Sequence, residues 1–438
     1  MTSLELGYLS FPVLLLLIFL RAPIGLAMMI CGLGGLYFAT GTPAIFLSKL
    51  KNETYSTFSS YSLTIIPMFL LMGQFATHSG MSSSLFKAAE SWLGHRKGGV
   101  AMAAVGACAG FGAICGSSLA TAATMSRVAL PELRRYGYSG GFSTATLAAG
   151  GTLGILIPPS VILVIYAILT EQNIAKLFLA AFVPGILAAI GYIITISIYV
   201  RLNPDSAGTR EAVPYGERLR ALMDVWPVLL VFGLVVGGIY LGWFTPTEGA
   251  AVGAAGTGLL ALFSGNLTWA IFKDSIVQTA MSTAMIFFIV LGASFYNSFL
   301  ALSQVPQELS GWVVGQGFSP WTVLMLILLF YLVFGCLMDS LSMILLTIPI
   351  FFPVISVLDF GMTPEHLAIW FGILVLIVVE VGLITPPVGM NLFIINAMDR
   401  QTPMTETYKA VLWFVISDIL RVVLLVLFPS ITLFLLAG

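Results

Sequence analysis

Two short polar clusters interrupt otherwise apolar sequence: Ser117, Ser118 and Thr121 in the first half, Asp339 and Ser340 in the second. Hydroxyls, a carboxylate and freed backbone carbonyls are the oxygens with which a membrane protein holds a small hard cation. Carbonyls are freed wherever a helix is broken, and two helices here break alike. Pro158-Pro159 recurs as Pro386-Pro387, within Gly154-Ile155-Leu156-Ile157-Pro158-Pro159 and Gly382-Leu383-Ile384-Thr385-Pro386-Pro387. The offset is 228 residues for the glycines and again for the prolines. Consecutive prolines remove two backbone donors and bar the preceding residue from helical geometry, so the helix stops. In hydrocarbon such a stop survives only where protein or a water-lined cavity satisfies the carbonyls. Matched breaks in two halves point to a central ion and substrate site in a secondary transporter.

From the residues alone, one ion site joins Ser117, Ser118 and Thr121 to carbonyls at Gly154, Ile157 and Pro158. A second joins Asp339 and Ser340 to the backbone at Gly382, Thr385, Pro387 and Val388. Serine and threonine also satisfy helix backbones in membranes, so the grouping at a tip carries more weight than any single hydroxyl. Asp339 costs a few kcal/mol in an apolar setting unless partnered. No lysine or arginine lies between Lys273 and Arg400, so a bound cation is the expected partner, with a hydrogen-bonded structural acid as the alternative. Glu380 is a second buried acid for which functional and structural readings weigh equally. Asp418 and Arg421 stand three apart and read as an intrahelical pair.

A substrate would sit between the tips. Helix N-termini following the breaks, near Ser160 and Asn391, aim partial positive charge at a carboxylate. Asn391 can also donate directly, and Gly116, Ser342 and Gly389 complete the candidate set. Arg127 is a further candidate anchor. It follows Ser117 by ten residues, about 15 Å along a helix, so snorkelling or pairing with Glu132 is the favoured account.

The elements that position these residues are transmembrane. Hydrophobic residues make up 59 % of 438 and charged residues 8 %, far from globular usage. Runs such as Phe11–Leu20, Ala181–Val200, Val225–Tyr240 and Val411–Phe428 suit spans. Leu4–Leu20 is expected to be a retained span, since no basic residue precedes it. Cys31, Cys108, Cys115 and Cys336 have no metal spacing and read as buried thiols; no transition metal is expected. His78, His95 and His366 fall near span ends. No nucleotide loop or hydrolase motif appears, so the chain is expected not to be an enzyme or an ATP-driven pump, and no nucleic-acid partner is expected.

Basic residues cluster at His95-Arg96-Lys97, Arg134-Arg135, Arg201 to Arg220 and Arg400 to Lys409, which places those loops in the cytoplasm. The stretch between the first two clusters starts and ends on one side, with a glycine- and serine-rich centre. It reads as a re-entrant hairpin, about 98–130, entering from the cytoplasm, followed by a broken helix at about 141–169. Its counterpart, about 320–357, has flanks without basic residues and is expected to enter from outside, before a broken helix at about 366–397. The expectation is therefore an all-α polytopic membrane protein made of inverted repeats, 1–200 and 224–438. Residues 201–223 form the cytoplasmic linker, and each repeat has about five crossings and one hairpin. Both termini then lie outside, at the cost of placing Lys49, Lys51 and Lys176 there too. Thr42–Ser60 and Gly265–Asp274 read as flat interfacial helices. Thr245-Pro246-Thr247-Glu248 has the makings of a capping box.

Taken in order, Cys115-Gly116-Ser117-Ser118-Leu119-Ala120-Thr121, Gly154–Ser160, Thr245-Pro246-Thr247-Glu248 and Gly382–Asn391 resemble the large membrane subunit of tripartite ATP-independent periplasmic (TRAP) transporters. The resemblance covers essentially the whole chain. It implies an elevator-type carrier of the ion-transporter superfamily that couples an organic acid anion to sodium. It also implies a small membrane subunit, a periplasmic substrate-binding protein, and a bacterial or archaeal inner membrane. A stand-alone dicarboxylate carrier, or an ion channel or antiporter without organic substrate, is the competing reading.

Overall fold

A computed structural model describes residues 2–436. The first half runs α1 (Ser3–Phe19), α2 (Ile24–Thr40), α3 (Pro43–Ser59), α4 (Ile65–His78), α5 (Met81–Leu93), α6 (Gly99–Cys115), α7 (Ser118–Arg135), α8 (Gly140–Leu156), α9 (Val161–Thr170) and α10 (Ile174–Leu202). A linker containing α11 (Tyr215–Met223) follows. The second half runs α12 (Trp226–Phe232), α13 (Gly238–Tyr240), α14 (Pro246–Phe263), α15 (Trp269–Ser303), α16 (Val305–Gly315), α17 (Pro320–Gly335), α18 (Ser340–Ser356), α19 (Pro364–Gly382), α20 (Met390–Met398), α21 (Met404–Leu427) and α22 (Pro429–Leu433). The architecture is all-helical among the described residues. By length and composition, α10, α15, α19 and α21 can each cross a membrane alone, and three bent helix pairs can do so together.

Local chemistry sets the two hairpins. Helix α6 ends at Gly116, whose φ of 65° suits a residue without a Cβ. Ser117 then caps α7 by accepting from the Ala120 N–H. In the second hairpin Asp339 caps α18 by accepting from the Ser342 N–H at 3.0 Å. The helix pairs α8–α9 and α19–α20 stop at the double prolines, and both Pro-Pro bonds are cis. Thr245 and Glu248 exchange the reciprocal bonds of a capping box at the start of α14.

The halves pack as related copies. Helix α2 lies along α15 and α14 along α4; α9 meets α18 and α20 meets α7. Elements in matching places thus exchange partners, the arrangement expected of a two-fold relation. Each hairpin leans on its own broken helix, α6 on α8 and α17 on α19. Glycine makes both approaches possible. A Cβ on Gly112 would strike the backbone of Gly154, and one on Gly382 would lie 2.7 Å from the Gly335 Cα. A buried network, Thr152 to Tyr192 at 2.9 Å and Tyr192 to Asp418 at 2.8 Å, ties α8, α10 and α21 together. Asp418 also pairs with Arg421 at 2.8 Å along the same helix. All four cysteines are free and buried.

One sequence expectation changes. Gly265–Asp274 is not a separate flat helix: α15 starts at Trp269 with Thr268 as its cap and runs unbroken for 35 residues. At about 1.5 Å per residue it is longer than the ~30 Å hydrocarbon thickness. The linker is tied to the helices beside it. The Ser139 N–H donates to the Ser206 carbonyl at 2.9 Å and the Arg210 N–H to the Gly94 carbonyl at 3.0 Å. The Arg210 guanidinium pairs with Glu90 at 3.0 Å. Burial holds the Glu90 carboxyl above the usual carboxylate range, and Arg210 offsets only part of that rise.

The glycine contacts predict that Gly112→Ala and Gly335→Ala each destabilise the protein by roughly 1–3 kcal/mol through overpacking. Gly106→Ala, on the same helix but with nothing within 4 Å of its added methyl, should be neutral or stabilising. Thermal melts of the purified variants decide this.

Candidate functional site

Both hairpin tips open onto one cavity of about 260 Å³. Gly116, Ser117, Ser118 and Leu119 line it from the first tip, and Asp339, Ser340 and Leu341 from the second. Ile155, Val161, Ile162 and Leu383 contribute from the broken helices, while Leu70 of α4 and Ser282, Met285 and Ile286 of α15 close the far wall. The cavity therefore lies between the hairpin and broken-helix group on one side and α4 and α15 on the other. Its surface is mainly apolar, with hydroxyls and one carboxylate, and no basic side chain lines it.

Thr121 stands out at the first tip. It is fully buried, and its Oγ1 has no hydrogen-bond partner. Gly154 faces it from α8. A Cβ there would run into Thr121 Oγ1 and lie 2.8 Å from the Ser117 carbonyl oxygen. Missing side-chain bulk thus brings a hydroxyl, a carbonyl and an opened helix end to one point, with Ile157 and Pro158 buried just beyond. An orphaned oxygen beside such a cluster fits a cation better than it fits an apolar core.

The second tip does not repeat this arrangement. Besides capping α18, Asp339 Oδ1 accepts from the Ser342 hydroxyl at 2.6 Å. The carbonyls of Pro387 and Val388 accept from the Tyr408 hydroxyl at 2.7 and 3.3 Å. The Thr385 hydroxyl donates to the Val381 carbonyl of its own helix at 2.6 Å. None of Thr385, Pro387 and Val388 lines the cavity, and Gly382 is packed against Gly335. The expected meeting of Asp339 with these carbonyls is not found, because both sides have nearer partners: a helix start for the acid, a tyrosine for the break.

The substrate candidates also separate. Gly116 lines the cavity; Ser160, Ser342, Gly389 and Asn391 do not. Ser160 is buried and caps α9 through the Leu163 N–H. The Gly389 N–H donates to the Cys336 carbonyl at 3.4 Å. Asn391 is buried, its Nδ2 donating to the Ala148 carbonyl at 3.4 Å while Oδ1 has no partner. Arg127 is exposed and away from the cavity. Glu132 pairs with Arg135 at 3.5 Å rather than with Arg127, because residues five apart on a helix do not share a face whereas residues three apart do.

Two residues were undervalued in the sequence. Ser340 donates to the buried Glu380 at 2.6 Å. The signal was a lone acid within an otherwise apolar stretch, although nothing nearby named its partner. Tyr408 gave no signal, being one aromatic among many.

Residues 11–431 match the family model described as the tripartite ATP-independent periplasmic transporter, DctM component. The chain belongs to this family. The C4-dicarboxylate TRAP transporter large permease DctM of Pseudomonas aeruginosa is 35 % identical over 393 residues, covering 88 % of each chain. The sialic acid large permease SiaM of Vibrio cholerae is 29 % identical over 424 residues, covering 96 % of each. The ectoine large permease TeaC of Halomonas elongata is 29 % identical over 443 residues, covering 99 % of this chain and 97 % of its own. The crystal structure of the Alcanivorax borkumensis YdaH transporter shares the fold, with a TM-score of 0.63 at 14 % identity, covering 88 % of this chain and 89 % of its own. This DctM-family chain is accordingly a multi-pass membrane permease and not an enzyme.

Tyr408→Phe removes the donor that holds the second break. It should lower stability by roughly 1 kcal/mol, the net worth of one hydrogen bond, as read by melting temperature.

Proposed function

We propose that the chain is the large permease of a sodium-coupled TRAP transporter for an organic acid anion in a bacterial inner membrane. It works with a small membrane subunit and a periplasmic binding protein that delivers the substrate. The relatives are named for C4-dicarboxylates, sialic acid and ectoine, and a further one for isethionate, so a small polar or anionic metabolite is the common theme. The observation that carries the ion reading is the orphaned, buried Thr121 hydroxyl converging with the Ser117 carbonyl on Gly154.

Sodium at this point would neutralise the opened helix end and fix the first tip. The same tip presents the N-terminal turn of α7 to the cavity, where its N–H groups favour a carboxylate or sulfonate. Ion and substrate then stabilise one tip conformation, and each raises the other's affinity by the same factor. The two hairpins and broken helices would move as a unit against the wall formed by α4 and α15, carrying the cavity from one face to the other.

Uptake of labelled succinate, sialic acid, ectoine and isethionate into proteoliposomes tests the reading, with the small subunit present, with and without an inward sodium gradient and the binding protein. Uptake that needs both sodium and the binding protein is expected; uptake without the binding protein would overturn the tripartite part. Thr121→Val should raise the sodium concentration for half-maximal uptake by roughly tenfold, the scale of losing one group at a metal. Asp339→Ala should lower stability by roughly 1 kcal/mol through the lost α18 cap, with sodium-stimulated uptake retained. Loss of sodium stimulation in that variant, with membrane insertion intact, would instead make Asp339 an ion ligand as well as a cap.

A further inference from the structure

We propose that a second cavity, walled by α5, α7 and the linker, is a binding site for a zwitterion that joins an ammonium to a phosphate. The chemistry meant is the phosphoethanolamine group, either free in solution or as the headgroup of a phospholipid.

This cavity has a volume of about 480 Å³ and shares no lining residue with the one between the hairpin tips. Three acids and three bases line it: Lys87 and Glu90 from α5, Glu132 and Arg135 from α7, Arg210 from the linker and Glu217 from α11. Two opposite pairs are already made. Arg210 meets Glu90 Oε2 at 3.0 Å, and Arg135 meets Glu132 at 3.5 Å. Lys87 and Glu217 belong to no ion pair among the described residues. One cation and one anion are thus left over on different walls of the same recess.

Glu90 decides what the recess suits. The residue is 5 % exposed, yet its Oε1 has no hydrogen-bond partner. A buried carboxylate oxygen costs free energy until a donor reaches it. Arg210 is the one base that pairs with Glu90 among the described residues, and it does so through the other oxygen. An ammonium brings three donors on one atom, enough to serve Glu90 Oε1 while Glu217 adds countercharge. A phosphate joined to it would meet Lys87 and the largely exposed guanidinium of Arg135, both strong partners for an anion. A simple cation would leave Lys87 unanswered, and a simple anion would leave Glu90 Oε1 unanswered. The leftover groups therefore match both charges in one molecule.

The walls meet where the linker is fastened down. The Trp92 indole N–H of α5 donates to the Arg218 carbonyl at 3.3 Å, and Gly208 packs so closely on the Tyr136 carbonyl that a Cβ would collide with it. An occupant would add a further bridge from α5 to α7, the second limb of the first hairpin, and to α11. Exposed Leu219, Leu222 and Met223 stand on the same short helix as Glu217, which offers a phospholipid apolar surface for its chains.

Two arms separate the sources. The purified permease is titrated calorimetrically with phosphoethanolamine, with inorganic phosphate and with ethanolamine. Its melting temperature is also compared in phosphatidylglycerol nanodiscs with and without phosphatidylethanolamine. Saturable binding of phosphoethanolamine that neither fragment reproduces assigns the free zwitterion; a melting temperature raised by phosphatidylethanolamine assigns the headgroup. In the first arm Lys87→Ala and Glu90→Gln each weaken binding by roughly tenfold, the scale of one hydrogen bond to a charged group. In the second arm each removes the shift. Inorganic phosphate binding as tightly as phosphoethanolamine overturns the proposal, as do responses kept in full by both variants. A wild type that responds to neither form also overturns it and leaves the recess a solvated surface. Should Glu90→Gln fail to fold, Lys87→Ala and Glu217→Gln, both at exposed positions, decide by the same criteria.

Discussion

A helix broken inside hydrocarbon exposes carbonyls that only the protein or a bound ion can satisfy, and the rest of this structure follows from how the two breaks are served. At the first break the surroundings are drawn in tightly: Gly112 meets Gly154, and Thr121 and the Ser117 carbonyl reach the same point. At the second, Gly335 meets Gly382 in the equivalent contact, but Tyr408 takes the Pro387 and Val388 carbonyls. Equivalent backbone, unequal partners.

That inequality divides the labour between the halves. The first tip keeps an unpartnered oxygen and a helix start capped by a neutral serine. The second tip brings its own carboxylate, which its own helix start and Ser342 already occupy. Its link to the rest runs through Ser340 to Glu380. The cavity between them is lined by no basic group; hydroxyls and one carboxylate are its polar side chains.

Much of this was legible in the sequence because the signals are local. Pro-Pro stops a helix wherever it occurs, a serine or aspartate before an apolar run caps the next one, and a gap without lysine or arginine needs no fold to be seen. The Asp418 and Arg421 pair follows from helical spacing alone. For Arg127 only the pairing with Glu132, which ignores helical spacing, is not found; the side chain is exposed, as snorkelling has it. The start of α15 was misjudged because its mix of aromatic and polar residues resembles a surface helix, while nothing before Ser303 stops the helix that follows.

The sequence by itself determined that this is a membrane carrier with two matched helix breaks and two polar hairpin tips, since backbone chemistry in an apolar medium permits little else. Only the tertiary structure decided which oxygens remain free. Tyr408 lies 21 positions from Pro387, and Ser340 lies 40 from Glu380. A hydrogen bond between such distant residues depends on how helices are brought side by side, which no local propensity encodes. The same packing that spends the oxygens of the second break leaves Thr121 unpartnered, and a site is defined by what remains unsatisfied after the fold has formed.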